Sequence, residues 1–441
     1  MKSIFSLMIA LCFSIGLSGQ LNKIEFTEYD LDNGLHVILH QDKTTPIVVV
    51  SVMYHVGSKN ESPDRTGFAH FFEHLLFEGS ENIERGEFFQ SITNAGGANN
   101  AYTTQDKTYY YELLPSNQLE LGLWLESERM LHAKVDLKGV ETQREVVKEE
   151  RRQRVDNQPY GTFQENAMKK AFKEHPYRWT PIGSMEHLNA ATEQDYKDFY
   201  NDFYTPNNAV LSIAGDIDIE ETKKLVDKYF STIPIRTKDI HRPSIVEKPM
   251  EGQVIDTIYD NIQLPAAITT YRIPALGTDD FYAVNMLNTL LSQGQSSRLN
   301  KAIVDEQQLA VFSGGFPFEL EDPGVAIVFG IANMGVDVNK LQEAIDIELK
   351  KVQTDLISEE EFQKLRNQVE SNFVTSNVRI AGIAESLANY HMYHNNTNLI
   401  NTELDKFLAV TREDIRSAAQ KYYNSQNRVV LHYLPKQNNT P

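Results

Sequence analysis

Apolar and polar positions alternate along this chain in two distinct periods, and that mixture predicts its architecture. Val37-Ile38-Leu39 and the run Ile47 to Tyr54 read as an antiparallel strand pair, with Asp32-Asn33-Gly34 a turn just before them. Gly67 to Phe77 has no proline and no glycine after Gly67, so it reads as helix; Leu119 to Leu131 is helical as well. Gly96-Gly97 is a turn that leads into a Thr/Tyr-rich strand running to Tyr111. A helix ends over Asp198 to Tyr204, and Ala209 to Ala214 is a strand that stops at Gly215-Asp216. Strands and helices interleaved in this way predict an α+β fold: antiparallel sheets with helices on one face.

The pattern repeats. Asp195-Tyr196, Phe203-Tyr204 and Asn208-Ala209-Val210-Leu211 recur, 219 residues later, as Asp414-Ile415, Tyr422-Tyr423 and Asn427-Arg428-Val429-Val430. Each copy is helix, turn, strand. An apolar strand pair interrupted by proline also opens each half, at Val37 to Val50 and at Val254 to Ile268. The chain is therefore read as two homologous halves, residues 20–233 and 254–441, joined by a proline-containing linker, Pro234 to Gln253.

The first nineteen residues stand apart. A short basic start, an apolar run from Ile4 to Leu17 and small residues at Gly16 to Gly19 have the form of a secretory signal peptide. That reading predicts a secreted protein, with the periplasm as destination, and no membrane span once the signal is removed; no other segment reaches transmembrane length. The single cysteine, Cys12, would leave with the signal, which excludes disulfide and thiol chemistry from the mature chain. With 441 residues the chain exceeds one ordinary core. Its formal net charge of −19 disfavours nucleic acid as partner, because such binders need a basic footprint.

The candidate chemistry sits in His70-Phe71-Phe72-Glu73-His74. On a helix, residues four apart lie one above the other, so both imidazoles face one way and can share a zinc ion. Glu73 lies on the same face. The competing reading is a helix whose polar residues cap or cross-link an apolar face. Phe71, Phe72, Leu75, Leu76 and Phe77 argue against it, since a carboxylate embedded among them is costly unless a cation neutralises it. A catalytic zinc site needs a third protein ligand. Glu141, Glu145, Glu149 and Glu150, in a charged segment of helical composition, are all candidates, and residue chemistry alone does not choose among them. In the second half, Leu290-Leu291 and Gly294 align with Leu75-Leu76 and Gly79; on that alignment His70, Glu73 and His74 become Asn285, Asn288 and Thr289. One half thus carries the motif and the other has lost it. The remaining histidines, His55, His132, His175, His187, His241, His391 and His394, are assigned structural or surface roles.

The H-x-x-E-H order, with Glu150 lying 76 residues after His74 in an R-x-V-V-x-x-E context, resembles the pitrilysin/insulinase family of inverted-motif zinc metallopeptidases. Within it the chain resembles the short subfamily that includes the mitochondrial processing peptidase subunits and many bacterial relatives. The resemblance implies one Zn2+ per chain held by His70, His74 and Glu150, with Glu73 as the general base that activates the zinc-bound water. It implies two α+β halves that close as a clamshell around a peptide or an unfolded segment. Asn99-Asn100-Ala101-Tyr102-Thr103-Thr104 resembles the family's substrate edge strand, which makes Asn100, Ala101 and Tyr102 the expected substrate contacts. Two departures stand out. Gln143 occupies the place of an auxiliary glutamate seven residues before the third ligand. Gly324 to Ala332 lacks an Arg/Tyr pair that many members use, and Arg298 does not belong to that pair. The expectation is therefore a zinc endopeptidase. The alternative is a zinc-containing peptide-binding or assembly subunit, active only in a dimer with a homologous chain that supplies the pair.

Overall fold

The computed structural model describes residues 23–237 and 239–436. The signal-peptide expectation for residues 1–19, with Cys12, lies outside them. Strands β1 (Thr27–Asp30), β2 (His36–Gln41), β3 (Ile47–Tyr54), β4 (Ala98–Thr103), β5 (Thr108–Pro115) and β6 (Ala209–Gly215) form a six-stranded sheet in the order β1-β2-β6-β3-β5-β4. Strands β7 (Val254–Asp260), β8 (Ala266–Arg272), β9 (Ala310–Phe318), β10 (Val325–Ala332) and β11 (Arg428–Pro435) form a five-stranded sheet in the order β7-β11-β8-β10-β9. The second order is that of the first sheet without β1, so the duplication extends to topology. The α+β class is as expected. The sheets are mixed rather than purely antiparallel: β2 runs parallel to β6, and β7 runs parallel to β11.

The repeat is also visible in hydrogen bonds. The Glu193–Phe203 helix starts at a reciprocal cap between Thr192 and Asp195, and the Arg412–Tyr422 helix starts at the same cap between Thr411 and Asp414. At the far ends, Asn208 Nδ2 donates to the Phe203 carbonyl at 2.7 Å and Asn427 Nδ2 to that of Tyr422 at 2.8 Å. Each asparagine closes the turn between helix and strand, and for this reason the spacing of an aromatic residue, Tyr, three residues and Asn occurs twice, at Phe203 to Asn208 and at Tyr422 to Asn427.

The expected single helical face is incomplete. Val48, Val50, Val52 and Tyr54 of β3 face the first half's own helices, while Val49 and Met53 face the Ile380–His394 helix of the second half. On the second sheet, Ala326 and Val328 of β10 face that half's helices. Its other face, with Val325 and Ile327, receives the Phe163–Ala171 helix of the first half. Each sheet thus has both faces covered, one of them by a helix from the other half. Strands buried on both sides need apolar residues at successive positions, which accounts for the run Ile47 to Met53, interrupted only by buried Ser51, whose hydroxyl donates to the Ser212 carbonyl.

The halves also meet through charge. Buried Lys59 lies 3.1 Å from Asp106, 2.5 Å from Glu321 and 3.2 Å from Asp322; His55 lies 3.0 Å from Glu321. The Asp322 N–H donates to the Tyr177 hydroxyl at 3.1 Å, and that hydroxyl donates to Asp106 at 2.6 Å.

Candidate metal centre

The Phe68–Leu75 helix carries the motif. Its apolar face (Phe68, Phe71, Phe72) stacks on Tyr196, Phe199 and Tyr204 of the Glu193–Phe203 helix and its end. That anchorage turns His70, Glu73 and His74 the other way. The first turn is tied down by buried Glu61, whose two oxygens accept the N–H groups of Gly67 and Ala69 at 2.9 Å each. A carboxylate there complements the positive end of the helix; burial nevertheless pushes the Glu61 carboxyl up to about 8. Gly67 and Gly183 both have positive φ, and a Cβ on Gly183 would lie 2.4 Å from Gly67 Cα. Only glycine admits this approach of the two loops.

Glu150 comes from the last turn of the Leu137–Arg151 helix, just before a π turn at Arg152–Asp156. Arg144 of that helix is buried and donates to the Ala191 carbonyl at 2.9 Å, and Arg151 donates to the Gly183 carbonyl at 2.6 Å. These bonds register the helix against the motif. Glu150 Oε2 lies 3.2 Å from His74 Nε2 and 3.6 Å from His70 Nε2. The ligating atoms of His70, His74 and Glu150 all fall within 4.8 Å of one another. Of the four sequence candidates for a third ligand, Glu150 alone meets the histidines. Glu141, Glu145 and Glu149 are exposed and pair with Arg144, Lys148 and Arg152 of their own helical segment.

The electrostatics suit a cation. Burial holds His70 down to about 4, with neighbouring His74 adding to the effect, so its ring is neutral near pH 7. Burial alone would raise Glu150, but His74, His70 and Arg154 more than offset it, and the carboxyl lies below its usual range. Glu150 Oε2 and His70 Nδ1 are buried without a hydrogen-bond partner among the described residues. Two imidazole lone pairs and a carboxylate oxygen converging on one point repel each other until a cation stands there. Two nitrogens and one oxygen, with room for a fourth ligand, fit zinc. Glu73 does not join this cluster. Its Oε2 accepts the Thr103 hydroxyl at 2.7 Å, and burial raises its carboxyl pKa.

Thr103 was not singled out in the sequence. It ends β4, the edge strand of its sheet, which pairs with β5 alone. The Thr-rich composition was visible, but the contact with Glu73 spans 30 residues and no periodicity encodes it. Asn100, Ala101 and Tyr102 lie on this edge strand. Ala101 turns its side chain toward the core, so only its main chain faces outward. The Tyr102 hydroxyl donates to Glu385 of the second half, and the ring borders a cavity of ≈ 690 Å³ shared with Thr103, Glu319, Tyr390 and Tyr393. Glu78, just past the motif helix, is half-buried, accepts a hydrogen bond from Gln143 Nε2 and pairs with Arg85. Arg298 is held by Glu361 at 2.8 and 2.6 Å, and β10 carries neither arginine nor tyrosine.

Comparison with known proteins agrees with this geometry. Residues 36–183 match the family model described as "Insulinase (Peptidase family M16)", and residues 190–369 match "Peptidase M16 inactive domain". The chain is 30% identical over 434 residues to the zinc protease PqqE of Helicobacter pylori, with 97% of each chain covered. It is 24% identical to the mitochondrial-processing peptidase subunit beta of Lentinula edodes, over 90% of this chain and 87% of that one. The crystal structure of a protease from Helicobacter pylori superposes with a TM-score of 0.89 at 28% identity, covering 93% of this chain and 100% of that one. The histidine pair lies within the stretch that matches the peptidase model, while the inactive-domain match begins in the first half and runs into the second; the chain belongs to the insulinase family of peptidases, M16.

Proposed function

We propose that the protein is a zinc-dependent endopeptidase that cuts peptides or unfolded segments, with His70, His74 and Glu150 holding one Zn2+ and Glu73 as general base. The observation that carries this reading is the convergence of those three ligand atoms beside a carboxylate that Thr103 ties to a free sheet edge. When bound, the zinc ion supplies a Lewis acid that acidifies water and polarises a carbonyl. Glu73 takes the proton from the attacking water and returns it to the leaving amine, while Thr103 keeps its Oε2 aimed. An extended substrate adds to β4 through main-chain hydrogen bonds, with Asn100 and Ala101 beside it and Tyr102 bordering a side-chain cavity. Residues 20–233 form the metal-holding domain, 234–253 the linker and 254–441 the homologous domain that closes over the substrate. Residues 1–19 direct the chain to the periplasm.

A quenched mixed-peptide assay on the mature chain, run beside Glu73→Gln with zinc content measured, tests the reading. Wild type should cleave, and the variant should lose about 10²–10⁴-fold in rate while retaining zinc. Loss of zinc from the variant, or equal cleavage by both, would remove Glu73 from the mechanism. The absence of an Arg/Tyr pair from β10 favours a second reading, in which a homologous partner completes the site. Zinc retained with no cleavage by either protein, and activity only after adding such a partner, would select it.

A further inference from the structure

A second group of potential ligands lies where β1 and β2 of the first half meet the Ile380–His394 helix of the second. The ligating atoms of Glu28, His36 and His391 all fall within 4.8 Å of one another. His36 is 8% exposed. Its Nδ1 lies 2.8 Å from Asp30 Oδ1 and its Nε2 3.4 Å from Glu28 Oε2. A proton on Nδ1, donated to Asp30, leaves Nε2 as a lone pair facing a carboxylate oxygen. That Nε2 is buried and has no hydrogen-bond partner among the described residues. A buried acceptor opposed by another acceptor is unfavourable until a cation sits between them. The carboxylate–histidine relay from Asp30 is the outer-shell arrangement that metal-ligating histidines use to fix their tautomer.

His391 approaches from the other half and lies flat on His36, with ring centroids 3.3 Å apart and planes 8° apart. In this stacked arrangement the ligating nitrogens of the two rings still lie within 4.8 Å of each other and of a Glu28 oxygen. Thr397, also of the second half, donates its hydroxyl to Glu28 Oε2 and fixes that carboxylate. The Asp30 and Glu28 side chains are exposed, and a cavity of ≈ 240 Å³ lined by Asp30, His36 and His391 gives an ion a way in.

We propose that Glu28, His36 and His391 form a second divalent-cation site, of the zinc class, that clasps the β1–β2 pair of the first half to the Ile380–His394 helix of the second. Two imidazoles and one carboxylate suit zinc better than calcium or magnesium, which prefer all-oxygen shells. The ion takes no part in peptide hydrolysis and does not depend on the His70 site. It holds the two halves together at the edge of the molecule.

Zinc counting on the mature chain, stripped with chelator and reloaded with Zn2+, tests the clasp. About two ions per chain are expected in wild type and about one each in His70→Ala/His74→Ala and in His391→Ala. Zn2+ should raise the unfolding midpoint of the His70→Ala/His74→Ala protein but not of the same protein with His391→Ala added. If His391→Ala does not fold, Glu28→Gln serves, and should bind the second ion at least about tenfold more weakly. One ion in wild type, lost in His70→Ala/His74→Ala, would overturn the clasp. One ion that survives in His70→Ala/His74→Ala and is lost in His391→Ala would keep the clasp and reject the His70 site instead.

Discussion

At the scale of single residues, the centre is built from conflicts that one ion resolves. His70 is neutral because it is buried, and Glu150 stays ionised because the imidazoles and Arg154 outweigh its burial. Glu73 sits one step away, with Thr103 as its hydrogen-bond donor. Removing that hydroxyl leaves the shape and deletes the bond. Thr103→Val should therefore lower kcat/KM by about 10–100-fold with zinc content unchanged, as loss of outer-shell partners does elsewhere. Kinetics paired with metal analysis would check it; a parallel loss of zinc would mean that Thr103 supports the fold of the site rather than the base. The motif was legible because H-x-x-E-H is local. Glu150 was legible only by resemblance, since four glutamates in one helical segment have the same chemistry and only packing separates them.

At the scale of elements, the exchanged helices matter most. Leu387 is fully buried where the Ile380–His394 helix crosses the first sheet, near Ile38, Met53 and Val210. Leu387→Ala should destabilise the protein by about 2–5 kcal/mol, the range for a large-to-small change in a closed core. The effect should appear as a single cooperative transition at lower denaturant, because the helix ties both halves together. Two separate transitions in the variant would mean that the halves unfold independently. The apolar runs predicted where strands lie, but β2 and β3 do not form the expected antiparallel pair: β6, from far along the chain, lies between them. The runs did not predict that the second face of each sheet is covered by the other half, because an apolar run records burial and not the identity of what covers it.

For the whole molecule, the charged seam between the halves sets a pH dependence. Burial would raise Glu321, but His55 and Lys59 hold it down to about 2. A depressed carboxyl contributes stability above its unfolded value, near 4.5, and loses it as pH falls toward the folded value. The difference in Tm between wild type and Glu321→Gln should therefore be constant above about pH 5 and shrink as pH falls below about 4.5. A difference independent of pH would show that the Lys59 cluster is not what perturbs Glu321.

Taken alone, the order of residues determined the local features: the alternation that makes strands, the turns, the repeat and its caps, and the i, i+4 histidine pair with its glutamate. These are short-range, set by backbone sterics and side-chain period. The tertiary structure decided the rest. It selected Glu150 over its neighbours, brought Thr103 to Glu73, laid one helix of each half on the other's sheet, and set His391 on His36 across 355 positions of chain. Such contacts depend on where distant elements pack, and no local period records them.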